Sequence, residues 1–523
     1  METMDDTTNG SKQYILAHDL GTTGDKAVLY AEDGTQVASV SHAYTTRYPK
    51  PGYAEQNADD WWNAVCTTTR ELLEKAGVAP NSVAAVGFSA QMMGCLPVDR
   101  DGLALRPAII WADLRSGREA VELERRLGMD RVYDITGHRV SSSYTATKLA
   151  WVKRHEGEIY ARTYKTLQTK EYVIHKLTGR FVTDYSDACG TNLFDLRAKV
   201  WSPEIADALE LELGKLPDPF PSVHVAGRVH AEAARATGLA EGTPVVLGGG
   251  DGVCAATGAT ITEPGGMYVV IGTSSWIAGA SHEPVFDPEK RTFNWVHMDG
   301  KLYSPCGTMQ SAGFSYAWLR NVLGSVLPQH GGGASRETLS ELDRTLDELV
   351  KESPPGARSL VYLPYLMGER SPRWNPDAKA AFIGLTATHT AGDLTRSVLE
   401  GVAYNLNVIL SVFRNDAPAR EVIAIGGGAA NETWLQILAD VWNAEILVPQ
   451  HLEDATSMGA AICAGVAVGV YPDFSVARSF NPVVRRITPR EEHGSTYRRM
   501  IEIFDESYQA LTGVFGKLSE PAE

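Results

Sequence analysis

The stretch Tyr14-Ile-Leu-Ala-His-Asp-Leu-Gly-Thr-Thr23 decides how the first part of this chain folds. Its apolar residues predict a buried strand that runs into Asp19, and the turn after it carries Gly21, Thr22 and Thr23. Glycine lets backbone amides approach a phosphate closely, and amides and Thr hydroxyls donate to its oxygens. A carboxylate at a strand end can hold Mg²⁺, which prefers oxygen ligands. The stretch predicts a phosphate loop with Asp19 as metal ligand, with an ordinary strand-to-turn as the alternative.

The elements after this loop predict a hairpin, a helix and a further strand. Strands at 26–30 and 36–44 flank Asp33-Gly34, a pair that favours a tight turn. A helix is expected from Asp59 to Ala76, and a buried strand from Val83 to Phe88. The loop that follows the last strand contains Gln91, Met92 and Met93.

The second half of the chain repeats this order of elements. A strand at 266–271 precedes Gly272-Thr-Ser-Ser275, an Asp299-Gly300 hairpin follows, and a strand at 421–425 runs into Gly426-Gly-Gly428. The pattern predicts two duplicated α/β domains around a central cleft. The predicted boundaries are a disordered leader, an N-terminal domain, a C-terminal domain and a frayed tail, at residues 1–12, 13–260, 261–517 and 518–523.

Three further loops are candidates for binding or catalysis. Gly272, Thr273 and Ser274 repeat the glycine–hydroxyl pattern and could hold phosphate. In Gly248-Gly-Gly-Asp-Gly252, Asp251 could accept a proton from a substrate hydroxyl, or cap a helix that starts near Val253.

The last of these loops is Gly426-Gly-Gly428, which with Asn431 leaves room for a nucleoside or, alternatively, lets a helix pack closely on a sheet. No Walker A or Rossmann glycine pattern occurs, so a nucleotide site would be of another type.

Composition limits which binding partners and which cellular compartment are expected for this protein. The 523 residues carry a net charge of −16, which disfavours nucleic acid and anionic membranes. No apolar run reaches the roughly 18–20 residues that a transmembrane helix needs. Six scattered cysteines without a C-x-x-C pattern fit a reducing, cytoplasmic setting. The sequence leaves open whether the protein forms a homodimer.

Several separated motifs together resemble the FGGY carbohydrate kinases of the actin-like ATPase superfamily. They span nearly the whole chain and read Pro51-Gly-Tyr-Ala-Glu-Gln56, Trp111-Ala-Asp-Leu-Arg115, Thr147-Lys-Leu-Ala-Trp151, Ser186-Asp-Ala-Cys-Gly-Thr-Asn-Leu-Phe-Asp195, Gly368-Glu-Arg-Ser-Pro372 and Phe382-Ile-Gly-Leu385. The subfamily they resemble most is xylulose kinase.

The resemblance implies ATP- and Mg²⁺-dependent phosphorylation of a small sugar or polyol by two ribonuclease-H-like domains. Sugar would bind mostly to the N-terminal half, near Gln91, Met92 and Met93, and ATP mostly to the C-terminal half. Asp251 would be the catalytic base and Asp19 would help to hold Mg²⁺. The residues implied to contact ATP are Gly21, Thr22, Thr23, Gly272, Thr273, Ser274, Gly426, Gly427, Gly428 and Asn431.

Two departures from the xylulose kinase pattern leave the substrate open. The family's G-Q-M-H-G segment here reads Ala90-Gln-Met-Met-Gly94, and Gly252 stands where Asn usually follows the catalytic Asp. Each departure removes a polar partner for a sugar hydroxyl. Xylulose is the first expectation; ribulose, a tetritol such as erythritol, and gluconate are alternatives. An actin-like ATPase with a chaperone or filament role, and an inactive sugar sensor, are the remote ones.

Overall fold

The computed structural model describes residues 13–325, 336–414 and 420–520. The strands are β1 (Tyr14–Leu20), β2 (Gly24–Ala31), β3 (Gln36–Ala43), β4 (Glu55–Gln56), β5 (Val83–Ala90), β6 (Leu96–Val98), β7 (Ala108–Ile109), β8 (Lys165–Leu167), β9 (Val182–Asp184), β10 (Phe194–Asp195), β11 (Val200–Trp201), β12 (Asp218–Phe220), β13 (Val225–Arg228), β14 (Pro244–Val246), β15 (Gly249–Gly250), β16 (Met267–Ile271), β17 (Ser275–Gly279), β18 (Phe293–Val296), β19 (Tyr303–Met309), β20 (Val361–Leu363), β21 (Ala381–Ile383), β22 (Glu421–Ile425), β23 (Glu445–Pro449) and β24 (Val483–Ile487).

The α-helices lie between and after these strands along the chain. They are α1 (Ala58–Ala76), α2 (Gly117–Leu127), α3 (Met129–Thr136), α4 (Thr145–His155), α5 (Gly157–Arg162), α6 (Thr169–Thr178), α7 (Tyr185–Cys189), α8 (Pro203–Ala208), α9 (Ala231–Thr237), α10 (Asp251–Gly258), α11 (Gly313–Gly324), α12 (Arg336–Glu352), α13 (Ala391–Phe413), α14 (Glu432–Trp442), α15 (Ala455–Ala467), α16 (Ala477–Phe480) and α17 (Gly494–Ser519).

The first compact unit is built on a mixed sheet in the order β13-β14-β5-β1-β2-β3, with β15 beside β5. Strands β1, β2 and β3 are antiparallel, as the Asp33-Gly34 turn predicts, and β5 continues the sheet parallel to β1. Helix α1 packs on this sheet through buried Trp61, Val65 and Leu72, and the side chain of Asn57 caps its first turn.

The second compact unit repeats the arrangement. Its strands lie in the order β19-β17-β16-β22-β23-β24, with β19, β17 and β16 antiparallel and β22 and β23 parallel to β16. The long helix α13 is largely buried in its core. Each sheet thus has three antiparallel strands extended by parallel strands, although in the second sheet β18 comes between β17 and β19 along the chain. This arrangement confirms the predicted duplication and the ribonuclease-H-like class.

The units divide the chain differently from the predicted cut at residue 260. The first unit runs to Thr262 and also contains Asn294–Tyr303 and Asp454–Asn481. The physical reason for the second insertion is close backbone packing of α15 on α10. A Cβ on Gly258 would lie 1.9 Å from the oxygen of Ala455, and one on Gly459 would lie 2.0 Å from the oxygen of Cys254.

Two terminal predictions fall wholly or partly outside the described residues. The predicted leader at 1–12 lies wholly outside them. In the C-terminal tail, α17 continues to Ser519, beyond the predicted end at 517, and residues 521–523 are outside. Among the described residues, no helix is long and apolar enough to cross a membrane.

Candidate active site

Asp19 lies at the end of β1, beside the end of β5. The two strands are parallel and pair Asp19 with Ser89, whose hydroxyl donates to Asp19 Oδ1 at 2.9 Å. Desolvation by the surrounding protein raises the pKa of Asp19 to about 6; the Ser89 bond opposes the rise and Asp25 adds to it. A partly exposed carboxylate that is poorly compensated by positive charge is a suitable ligand for a divalent cation.

The predicted phosphate loop after β1 is held in place by two of the other sequence motifs. Gln56 donates to the carbonyl oxygen of Thr22 at 2.7 Å, and the indole of Trp111 donates to the Thr22 hydroxyl at 2.9 Å. Tyr44 donates to the carbonyl of Gly21. The side chain of Thr23 stays exposed. The motifs around Gln56 and Trp111 therefore support the loop.

Asp251 follows the short strand β15, which lies beside β5. Gly249 of β15 is paired with Ser89, the same residue that Asp19 faces from the other side. Asp19 and Asp251 therefore lie at the same end of two strands, β1 and β15, that flank β5 on either side. Gly248 is required behind this strand, since its φ is +67° and a Cβ there would lie 1.8 Å from the oxygen of Phe88.

The carboxyl group of Asp251 is open to solvent, although much protein surrounds it. Its Oδ1 accepts the N–H of Gly252 at 2.7 Å, and α10 begins at Asp251, two residues before the predicted start. Desolvation raises its pKa to about 7, and the negative charges of Asp19 and Asp187 contribute to the rise. A carboxyl that titrates near neutrality is suited to accept a proton.

The predicted sugar-binding loop lies next to Asp251. Gln91 is buried, donates to Gln56 at 2.7 Å, and has an Oε1 with no hydrogen-bond partner in the part of the chain described. Met92 packs on the strand before Asp251, because a Cβ on Gly250 would lie 2.3 Å from its sulfur. Met93 has a positive φ of 64°.

Met93 and Trp295 both lie close to Gly190 in the first unit. A Cβ added to Gly190 would lie 3.4 Å from both the Cγ of Met93 and the ring of Trp295. Trp295 belongs to the 294–303 insertion. The sequence motifs gave no role to Trp295, because its proximity to Met93 depends on a contact between residues about 200 positions apart.

Two lysines near these loops were missed at the sequence level. Lys148 is fully buried and donates to the carbonyl oxygens of Met93, Ile110 and Ser143, at 2.8, 2.8 and 2.6 Å. Lys26 lies opposite Asp19 in the β1–β2 register and pairs with Asp454 at 2.5 Å. Its place in the predicted hairpin was the available signal, since cross-strand partners share a face.

The first glycine loop of the second unit follows β16 and contains Gly272, Thr273 and Ser274. Its backbone is fixed against the start of α11, where Gly313 N donates to Gly272 O at 2.9 Å and Phe314 N donates to Thr273 O at 3.0 Å. Thr273 and Ser274 are exposed. The loop thus presents hydroxyl groups from a fixed backbone.

The second glycine loop of this unit follows β22, which is parallel to β16. Gly426 and Gly428 pack against Ile271, whereas a Cβ on Gly427 would meet nothing within 4 Å. Asn431 caps α14 by accepting the N–H of Trp434 at 2.8 Å. Close packing therefore accounts for two of the glycines, and Gly427 is the one open to a ligand.

A metal would depend on few protein ligands. Within 13–325, 336–414 and 420–520 there is no group of three or more His, Cys, Asp or Glu side chains that could hold an ion. Mg²⁺ commonly uses one or two carboxylates together with water and substrate phosphates. Asp19 fits that mode of binding.

The chain is similar to known carbohydrate kinases over nearly its whole length. It is 30% identical to a xylulose kinase of Staphylococcus xylosus, over 95% of this chain and 99% of the relative. It is also 30% identical to a gluconokinase of Bacillus subtilis, over 97% and 98%. The crystal structure of a ligand-bound xylulose kinase from Lactobacillus acidophilus superimposes with a TM-score of 0.90 at 28% identity, covering 97% of this chain and 100% of that one.

Family assignment follows from both halves of the chain. Residues 14–258 match the N-terminal domain of the FGGY family of carbohydrate kinases, and residues 267–468 match the C-terminal domain. These ranges contain every site residue predicted above. The chain therefore belongs to the FGGY family of carbohydrate kinases.

Proposed function

We propose that this ATP-dependent sugar kinase transfers the γ-phosphoryl group of ATP to a hydroxyl of a small ketose, with D-xylulose as the first candidate and D-xylulose 5-phosphate as its product. The observation that carries the proposal is the accessible carboxyl of Asp251, with its pKa near 7, beside Asp19 at one sheet edge. The xylulose kinase relatives support the choice of sugar.

In this proposal Asp251 accepts the proton of the attacking sugar hydroxyl. Positioned proton transfer of this kind contributes about 10²–10⁴-fold to a rate. Gln91, with its unpartnered Oε1, and the backbone around Met92 and Met93 bind the sugar. A buried acceptor with no protein donor is suited to a substrate hydroxyl, because leaving it unpaired costs about 1–3 kcal/mol.

The nucleotide is assigned to the glycine loops. The amides and hydroxyls of Thr22 and Thr23 in the first unit, and of Thr273 and Ser274 in the second, are proposed phosphate donors. Gly21 and Gly272 would shape the two turns, since their amides donate to the carbonyl oxygens of Gly24 and Ser274. Gly427 would lie against adenosine, with Gly426, Gly428 and Asn431 shaping the backbone around it. Asp19 would hold Mg²⁺, which when bound neutralises charge on the phosphates.

Gluconate is a second candidate substrate because the sugar loop departs from the xylulose kinase pattern and a relative of this chain is a gluconokinase. Met93 and Trp295 present apolar groups beside Gly190, where the xylulose kinase pattern has a polar histidine at position 93. A gluconokinase is also among the relatives that are 30% identical. Ribulose and erythritol remain in the same test.

The test measures ADP release at saturating MgATP with D-xylulose, D-ribulose, erythritol and gluconate, and without sugar. The proposal expects sugar-dependent release that is fastest with D-xylulose. If ADP release is faster with gluconate, gluconate replaces D-xylulose as the proposed substrate. If it is equally fast without any sugar, the protein is an ATPase that needs no sugar.

The catalytic base is tested with Asp251→Asn. This variant should fold, bind ATP and lose at least about 10²-fold in kcat. Asp60→Asn, also in the first turn of a helix of this unit, is the matched control and should keep normal turnover. Near-normal kcat of Asp251→Asn would remove Asp251 from the mechanism.

A further inference from the structure

A buried ionic cluster lies directly behind β15, the strand that precedes Asp251. Its members are Lys170, Asp184, Ser186 and Asp187, and none of the four is exposed. Lys170 bridges the two carboxylates, with its Nζ 2.5 Å from Asp184 Oδ1 and 2.5 Å from Asp187 Oδ2. Burial alone would lower the pKa of Lys170, but the two carboxylates raise it, so the lysine is charged.

Asp184 is the centre of this cluster. Its Oδ2 accepts the backbone N–H of Ser186 at 2.8 Å and the Ser186 hydroxyl at 2.5 Å. Ser222 donates a second hydroxyl to the same oxygen at 3.0 Å. A buried carboxylate with so many donors fixes the orientation of each of them.

One atom of the cluster, the hydroxyl oxygen of Ser186, contacts the Gly248–Gly252 loop, which contains Asp251. The hydroxyl oxygen of Ser186, whose proton is given to Asp184, accepts the backbone N–H of Gly250 at 2.9 Å. Gly250 immediately precedes Asp251 and is its helix N-cap. Contact is close here, since a Cβ on Gly249 would lie 3.2 Å from the same hydroxyl.

From this geometry we propose that Ser186, oriented by the Lys170–Asp184 ion pair, is a positioning residue. It fixes the Gly249–Gly250 peptide at the start of α10 and thereby aims the Asp251 carboxylate at the substrate hydroxyl. The proposal rests on the proposed role of Asp251. In this proposal the Ser186-Asp-Ala segment affects kcat through the position of Asp251 and does not bind the sugar.

The chain offers a matched pair of variants. Ser186→Ala and Ser222→Ala each remove one hydroxyl donor from the same oxygen of Asp184. Only Ser186→Ala also releases the N–H of Gly250. The remaining link of Ser222 to the loop, from Gly248 N to Ser222 O, is made by backbone and survives in Ser222→Ala.

Turnover kinetics on the full-length enzyme, with MgATP and its best sugar from the ADP-release panel, test the proposal. A small misalignment of a reacting group costs up to about 10²-fold. Ser186→Ala should therefore lower kcat about 10- to 100-fold while the KM values for sugar and MgATP change less than about threefold. Ser222→Ala should keep kcat within about threefold at a similar Tm. Equal kcat values for the two variants would overturn the proposal.

A double-mutant cycle separates this proposal from the role of Asp251 itself. If Ser186 acts through Asp251, Ser186→Ala should lower the residual kcat of Asp251→Asn by less than about twofold. If Ser186→Ala lowers kcat of Asp251→Asn by the same factor as it lowers kcat of the wild type, Ser186 does not act through Asp251. That result would overturn the proposal. If Asp251→Asn alone keeps normal kcat, the proposed function fails first, whatever Ser186→Ala does.

Discussion

The ammonium group of Lys148 donates a hydrogen bond to the carbonyl oxygen of Met93 at 2.8 Å, from a position in α4 where the lysine has no exposed surface. Its other two acceptors are also backbone carbonyls, of Ile110 and Ser143. One buried cation thus joins three segments of the first unit around the proposed sugar loop.

Removing this cation should weaken sugar binding selectively. In Lys148→Met the carbonyl of Met93 loses a charge-assisted bond worth about 1.5–3 kcal/mol. We expect the KM for sugar to rise at least about tenfold, and the KM for MgATP to change little. Lys153→Met, on the same helix but partly exposed, is the control and should leave both values unchanged. An unchanged sugar KM in Lys148→Met would show that the loop holds its position without the lysine.

Substituting Met93 should change which sugar is preferred. The positive φ of 64° suits histidine better than methionine, so Met93→His introduces a polar group without new backbone strain. We expect kcat/KM for D-xylulose to rise about tenfold, since a hydroxyl gains a partner worth about 1–3 kcal/mol. Met93→Leu has no polar group and should give no rise. A gain in both variants would assign the effect to packing.

Activity should depend on pH through Asp251. Because only the ionised carboxylate accepts a proton, and its pKa is raised to about 7, kcat/KM for the sugar should increase with pH and level off above about pH 7. D-Xylulose does not itself titrate in this range, so the inflection does not come from the sugar, and its loss in Asp251→Asn would assign it to Asp251. If kcat/KM instead falls only below pH 5, a group other than Asp251, or none, accepts the proton.

Stability should depend on pH through Glu369, the acid of the Gly368-Glu-Arg-Ser-Pro372 motif. This carboxyl is buried, and its oxygens accept the N–H groups of Gln310, Arg370 and Asn405. Burial raises its pKa from 4.5 to about 8. The folded protein then holds a proton that the unfolded chain releases, and the free energy of unfolding falls as pH rises from about 4.5 to about 8.

Glu369→Gln removes that titration. Urea unfolding at pH 5, 6, 7 and 8 should give a free energy of unfolding that falls less steeply with pH than in the wild type. Glu341→Gln, an exposed carboxyl in the same unit, should retain the wild-type slope. Identical slopes for Glu369→Gln and the wild type would contradict the raised pKa of Glu369.

The local elements could be predicted because their signals are local. The β1–β2–β3 meander follows from alternating apolar residues and one Asp-Gly turn, and α1 begins where Asn57 caps it. The repeat of this order in the second half predicted two similar sheets, which the structure confirms. The glycine loops could be placed at strand ends for the same reason.

The supports of the site could not be predicted, because they join residues far apart in the chain. Gln56 and Trp111 donate hydrogen bonds to Thr22, although they lie 34 and 89 residues away from it in the sequence. Ser186 and Gly250, which form another such bond, are 64 residues apart. Buried charges such as Lys148 carry no local pattern, since their acceptors are ordinary backbone carbonyls. These contacts become visible only when the sheet brings its loops to one edge.

The packing of α15 against α10, through Gly258 and Gly459, has a consequence for biosynthesis. A ribosome delivers the segment from Asp454 to Asn481 only after residues 263–293 and 304–453 of the second unit have been made. Until then the nascent first unit lacks α15 and α16, and the surface of α10 on which α15 packs stays uncovered. The first unit is therefore completed only late in translation, once residues 454–481 have emerged.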